Sequence, residues 1–324
     1  MSRISFGRQG GFLFAPLAMA VAALLGCETV AIDPESARLA PDLPLADLHF
    51  HPDPPMSSQE ARDRMDKNGV RWAVGGVINA DRPLWERYAR ELGPRFIPFT
   101  GQSELNRIYR RGGIAAMEDA TNPEFQEFLK VAEEDLKGGR AKGIGTIFAN
   151  NSRGHPDPGF RRKARTDAPS IRLLYGLAAK YDAVVMLQMV PDPDSVEGFE
   201  RLLASDRRAR ILWTQCGTDA APGDVRPLMR RHPNLHCELS WRYPPVVPPQ
   251  LAFRNIFDET GPKPEWLELI EEFPDRFLVG NDAHIRSQYD RATEVVRTGL
   301  LPYLKPATAR MVAYENAERL FKLK

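Results

Sequence analysis

Cysteine is scarce: Cys27, Cys216 and Cys237 are the only three in 324 residues. A multi-disulfide framework is therefore excluded, and no CxxC spacing points to structural zinc. Charge of one sign is equally scarce, since 44 Lys and Arg stand against 43 Asp and Glu for a net +1. The short basic runs Arg161-Arg162-Lys163 and Arg207-Arg208-Ala209-Arg210 have acids on either side and read as solvated surface. A nucleic-acid footprint needs a concentrated positive face, and none is visible. There is no internal repeat, which excludes a solenoid, and no apolar run long enough to span a bilayer as a mature helix.

What is present is ordinary globular composition: 43% hydrophobic and 27% charged residues, enough to bury a large core. The length suits one barrel of roughly 250 residues with an appendage. The appendage is N-terminal. Arg3 and Arg8 precede the apolar run Gly11 to Leu25, which reads as a secretory signal. Its end, Leu24-Leu25-Gly26-Cys27, resembles a bacterial lipobox. That resemblance implies cleavage after residue 26, acylation of Cys27 and a membrane partner for the anchor; Glu28 after the cysteine favours the outer membrane, with the protein facing the periplasm. Residues 27–44, rich in acids and proline and without apolar period, read as a tether.

From residue 45 to 324 short apolar runs alternate with longer amphipathic segments, the signature of parallel strands joined by helices. Eight runs are counted: Leu45 to His51, Trp72 to Ile78, Arg95 to Thr100, Gly143 to Phe148, Ala183 to Met189, Arg210 to Gln215, Leu235 to Ser240 and Phe277 to Asp282. The expected fold is α/β, a single-domain (β/α)8 TIM barrel. Helices are expected over Ser57 to Asn68, Arg82 to Leu92, Asn122 to Lys137, Ser170 to Tyr181, Asp194 to Ser205, Asp224 to Arg231, Pro264 to Glu272 and, closing the domain, Pro306 to Lys322. Cys216 and Cys237 read as buried apolar fillers; they fall on strands expected to be neighbours, which leaves a disulfide between them open.

Reactive groups in such a barrel sit where strands end and the loops to the next helices begin. Side chains two apart on a strand share a face, so Asp47, His49 and His51 point into the mouth if Leu48 and Phe50 face outward. Closure makes strand eight the neighbour of strand one. Asp282, at the end of Gly280-Asn281-Asp282, is then brought within coordinating reach of both imidazoles. Two His and a carboxylate suit a divalent metal ion such as Zn²⁺, with Mn²⁺ or Fe²⁺ as alternatives.

Three segments together, Leu45-Ala-Asp-Leu-His-Phe-His-Pro52, Arg276-Phe-Leu-Val-Gly-Asn-Asp282 and Asn316-Ala-Glu-Arg-Leu-Phe321, resemble the amidohydrolase-related family of metal-dependent hydrolases and decarboxylases. The resemblance covers residues 44 to 323. It implies a metal held by His49, His51 and Asp282, with Asp282 also exchanging protons with the attacking water, and a small-molecule substrate. A homo-oligomer is compatible with it. The family pattern breaks at the ends of strands five and six, where its histidines are replaced by Gln188 and Gln215. A glutamine oxygen coordinates a hard cation weakly and does not titrate near neutrality. Gln188 is therefore a weak metal-ligand candidate and Gln215 a non-titrating catalytic one.

Three readings compete: hydrolysis through His49, His51 and Asp282 alone; use of Glu238 or His284 as substitute groups; or lost catalysis with a retained pocket, a binding lipoprotein. Glu238 shares a strand face with His236 and Ser240, and it is a base if that face lines the mouth. Arg153 and His155 after strand four, and His284 after strand eight, are candidates for holding an anionic substrate. His232, before Pro233 at the opposite end, reads as structural. The proline-rich stretch from Trp241 to Pro249 reads as a stiff loop walling the pocket.

Overall fold

The computed structural model describes residues 30–51, 56–75, 82–153, 158–244, 247, 249–283 and 286–323. Cys27, His155, His284 and part of the proline-rich loop lie outside them. Eight parallel strands, β1 (Leu45–Asp47), β2 (Val70–Gly75), β3 (Phe96–Gly101), β4 (Gly143–Asn150), β5 (Val184–Met189), β6 (Arg210–Trp213), β7 (Leu235–Glu238) and β8 (Phe277–Leu278), pair in sequence order. Two backbone bonds beyond the regular strands close the ring: Leu48 N–H donates to the Val279 carbonyl (3.0 Å) and Asp282 N–H to that of His49 (2.8 Å). The (β/α)8 barrel expected from the alternation is the fold observed.

The helices lie where the periodicity places them, with starts within two residues of those expected. In α5 (Pro123–Lys137), α6 (Pro169–Lys180), α7 (Pro193–Ser205) and α8 (Pro222–Arg231) proline occupies the first helical turn, where its missing N–H costs nothing. Asn122 and Asp192 cap two of them through backbone N–H groups of the first turn. Helices α2 (Ser58–Lys67), α3 (Arg82–Leu92) and α9 (Pro264–Glu272) complete the expected set up to β8.

Three helices were not foreseen. Helix α4 (Gln102–Glu118) contains Gly112-Gly113, a pair that reads as a breaker, and Gly113 does leave helical geometry at φ 66°. Helix α10 (Arg286–Val295) follows β8. Helix α1 (Pro34–Leu39) lies inside the stretch read as a tether. Asp33 Oδ1 caps it by accepting from the N–H groups of Glu35 and Ser36 (2.9 Å each), and the buried Ser36 hydroxyl donates to the Leu304 carbonyl (2.6 Å). From Asp33 onward the expected tether is built into the barrel.

Two apolar cores result. The larger lies between sheet and helices and takes Phe50, Ile144, Ile147, Val185, Leu187, Ile211 and Phe277 among others. The smaller fills the lumen with Ala46, Leu48, Trp72, Val74, Ile97, Phe99, Met186, Leu212 and Leu278. The expected closing helix is α11 (Pro306–Arg310), a wider turn over Met311–Glu315 and α12 (Asn316–Phe321), whose Leu320 and Phe321 plug the lumen. Leu48 is thus inside with Ala46, not outside as the placing of Asp47, His49 and His51 in the mouth supposed. Regular β1 ends at Asp47, and the bends at Leu48 and His49 shift the faces before Phe50 turns outward. The two remaining cysteines form a disulfide, Cys216–Cys237, across β6 and β7.

Candidate metal centre

The seam between β1 and β8 carries the site. Asp47 Oδ1 accepts from the backbone N–H groups of His49 (3.1 Å) and Asn281 (2.8 Å), so one carboxylate fixes both strand ends. His49, His51 and Asp282 are all buried and converge as the closed ring requires. One ligand atom from each lies within 4.8 Å of the others. His51 Nε2 is 2.8 Å and His49 Nε2 3.5 Å from Asp282 Oδ1.

The outer sides of His49 and Asp282 are also occupied. His49 Nδ1 lies 3.0 Å from Glu238 Oε2 and 3.1 Å from Ser240 Oγ, which leaves Nε2 facing Asp282. Glu238 is wholly buried and accepts in addition from Ser240 Oγ (2.8 Å), the Ser240 N–H and the Gln215 N–H (3.2 Å). It stands behind His49 and does not line the mouth as a base. Gly280 allows this: a Cβ there would run into Glu238 Oε1.

On the far side Gln215 Nε2 donates to Asp282 Oδ2 (2.7 Å), and Gln215 Oε1 accepts from Gln188 Nε2 (3.0 Å) and Thr218 Oγ1 (3.0 Å). Gln188 thus meets Gln215 and Thr218, not the histidines. Trp241 Nε1 donates to the Asp282 carbonyl (2.9 Å). Backbone strain gathers here. Of seven described non-glycine residues with positive φ, five are Gln215, Cys216, Thr218, Trp241 and Asp282, and such strain persists only where surrounding contacts enforce it.

Electrostatically the site favours a cation. Three buried carboxylates, Asp47, Glu238 and Asp282, surround two imidazoles. Burial raises Asp47 to about 6, against the lowering effect of its two backbone donors. For His49 burial opposes the charged form, yet Asp282 first, then Glu238 and Asp47, raise it to about 9. A group so surrounded holds a positive charge, and a divalent ion bound through His49 Nε2, His51 Nε2 and Asp282 Oδ1 would provide one. The donor set fits such an ion.

Other sequence candidates fall elsewhere. Arg153 is half-exposed and paired with Asp219 through Nε (2.7 Å), so it is not directed at the centre. His232 is buried, with Nε2 3.3 Å from Glu200, a structural contact at the other end of the barrel. Ser240 and Thr218 were missed as site residues, although Ser240 shares its strand face with Glu238; Trp241 was expected only as part of the pocket wall.

No family model and no curated protein matches the chain. Among solved structures it is similar to 2,6-dihydroxybenzoate decarboxylase from Rhizobium, at 16% identity over 87% of this chain and 99% of that one, with a TM-score of 0.51. It is also similar to 4-oxalomesaconate hydratase from Rhodopseudomonas palustris (13%, 86% and 95%, TM-score 0.53) and to a protein described as amidohydrolase II (13%, 86% and 99%, TM-score 0.51). The chain therefore shares the (β/α)8 TIM barrel of these proteins, the fold that the sequence motifs implied. At these identities the likeness is one of fold.

Proposed function

We propose that the chain is a metal-dependent enzyme that hydrolyses a small molecule, held at the cell envelope by a lipid on Cys27 and facing the periplasm. The convergence of His49, His51 and Asp282 within 4.8 Å carries the proposal. The Cys216–Cys237 disulfide accords with an oxidising compartment. A divalent ion, Zn²⁺ in the first instance and Mn²⁺ or Fe²⁺ otherwise, would polarise the substrate and make water a stronger acid.

The chain's own groups do the rest. Glu238 and Ser240 hold the His49 ring with Nε2 inward. Gln215 fixes Asp282 through Oδ2, leaving Oδ1 toward the imidazoles, so proton transfer at this point belongs to Asp282, because an amide does not titrate near neutrality. Decarboxylation is the second reading: the same Lewis acid and carboxylate serve it, and a decarboxylase shares the fold. The contrasting class, a binding lipoprotein without catalysis, follows from Gln188 and Gln215.

Elemental analysis of the purified chain separates the classes. The enzyme reading expects about one metal equivalent, and its loss in the His49→Ala/His51→Ala double variant. Less than about one tenth of an equivalent in the unmodified protein, with no uptake of added Zn²⁺ or Mn²⁺, would leave the binding protein standing.

A further inference from the structure

Arg162 is buried, 7% exposed, although it lies in the basic triplet Arg161-Arg162-Lys163 that reads as solvated surface, and its two neighbours are exposed. The reason is local: an antiparallel bridge between Asn150 and Lys163 extends the segment, so alternate side chains face opposite ways. The guanidinium lies 4.1 Å from the Tyr109 ring centroid and 5.1 Å from that of Phe148. Its Nη2 donates to Asn106 Oδ1 (2.8 Å). Nε and Nη1 are enclosed and have no partner among the described residues.

Gln102 stands one turn before Asn106 on α4, on the same helix face. It is 1% exposed, and neither its amide nitrogen nor its oxygen has a partner among the described residues. Gln102 is also the first residue of α4, whose N-cap Gly101 supplies no side-chain acceptor. Unmet donors of the guanidinium and the amide thus border Asn106 at the end of β3. Burial lowers the Arg162 pKa to about 10, still far above neutrality, so a buried positive charge stands there without a carboxylate beside it among the described residues. Such a charge is costly unless a counter-ion completes it.

These groups lie on the metal-centre side of the barrel. Ile147 and Ala149 face the outer core, so Phe148 between them faces the lumen. Phe148 is the register partner of Gln188 on β5, and Gln188 connects through Gln215 to Asp282. We infer that Arg162 and Gln102, oriented by Asn106, form an anion subsite that takes the carboxylate of a small substrate whose other end lies at His49, His51 and Asp282. A carboxylate fits better than a phosphate dianion. One buried guanidinium balances one negative charge, its neighbours Asn106, Tyr109 and Phe148 carry none, and the nearby Arg110 is exposed. The inference rests on the small-molecule reading above and names the class of molecule.

The test is binding of benzoate by the full-length chain, read by calorimetry and by the shift of the thermal midpoint. Benzamide is the neutral control and inorganic phosphate the competitor. Benzoate is expected to bind and benzamide not. Arg162→Met should weaken benzoate at least about tenfold, the loss of one charge-assisted hydrogen bond, with metal content unchanged. Absence of saturable benzoate binding, equal binding of benzamide, equal competition by phosphate, or an Arg162→Met variant as tight as the parent overturns the assignment. Should Arg162→Met not fold, Gln102→Leu and the benzoate–benzamide comparison in the unmodified chain decide by the same criteria. Failure of the metal reading is distinguishable. Arg162-dependent benzoate binding in a chain that takes up no metal leaves the subsite standing, and a metal-loaded chain without such binding removes the subsite alone.

Discussion

Glu238 contributes to the centre by what it does to His49. Its carboxylate is buried behind the ring, 3.0 Å from Nδ1, and fixes which nitrogen points inward. Glu238→Gln keeps the size but removes the charge that makes His49 a strong donor. The expected outcome is a 10- to 100-fold weaker metal affinity, the range for partners of ligating histidines, with the circular-dichroism spectrum unchanged. Competition with a chelator of known affinity measures it, and an affinity equal to that of the parent would refute the role. The ligands themselves were legible in the sequence because an HxH pair and a distant Asp need only barrel closure to meet. The role of Glu238 was not. Whether it touches a substrate or a histidine depends on the bends after Asp47, which no alternation rule supplies. Arg162 was hidden for a similar reason: the bridge between Asn150 and Lys163 that buries it joins residues on either side of a loop.

At the scale of elements, the segment after β6 shows how a strained loop is held. Gln215, Cys216, Gly217 and Thr218 all have positive φ, and three constraints act on them. The disulfide ties Cys216 to β7, Glu238 accepts the Gln215 N–H, and Arg242 donates to the carbonyls of Thr218 (2.7 Å), Ala220 (2.7 Å) and Gln215 (3.4 Å). Arg242 is 2% exposed and stacked over Trp266 at 4.6 Å. Arg242→Met would leave several buried carbonyls without donors and is expected to cost roughly 3 kcal/mol or more in urea unfolding. Removing the exposed Arg208, paired with nearby Asp206, should leave the unfolding midpoint unchanged within error; equal effects of the two would show that the loop is not held this way. Strands and most helices were readable from their apolar periods. Helix α4 was not, because its glycine pair has the composition of a loop while its buried Leu105 and Ile108 dock it beside β3 and β4.

At the scale of the whole molecule, the barrel must join its first and last strands, some 230 residues apart in sequence, and regular pairing contributes little there. Asp47 stands at this joint with Oδ1 bonded to one N–H on each side. The N-terminal stretch reinforces the same end of the chain. Arg297 donates to the carbonyls of Ala40 (2.8 Å) and Leu43 (2.8 Å), which is why residues with the composition of a linker fold onto the domain. That docking was not legible, since acids and prolines without apolar period give no sign of a distant arginine. If Asp47 closes the ring by accepting hydrogen bonds, Asp47→Asn, which keeps a carbonyl oxygen in place, should lose no more than ~1 kcal/mol. Asp47→Ala should lose roughly 2–4 kcal/mol for two buried N–H groups left unmet, and its metal affinity should fall with it as the strand carrying His49 and His51 slips against the one carrying Asp282. Urea unfolding of both variants beside chelator competition decides: Asn as damaging as Ala would mean that Asp47 acts through its charge on His49, and the seam would then need another explanation.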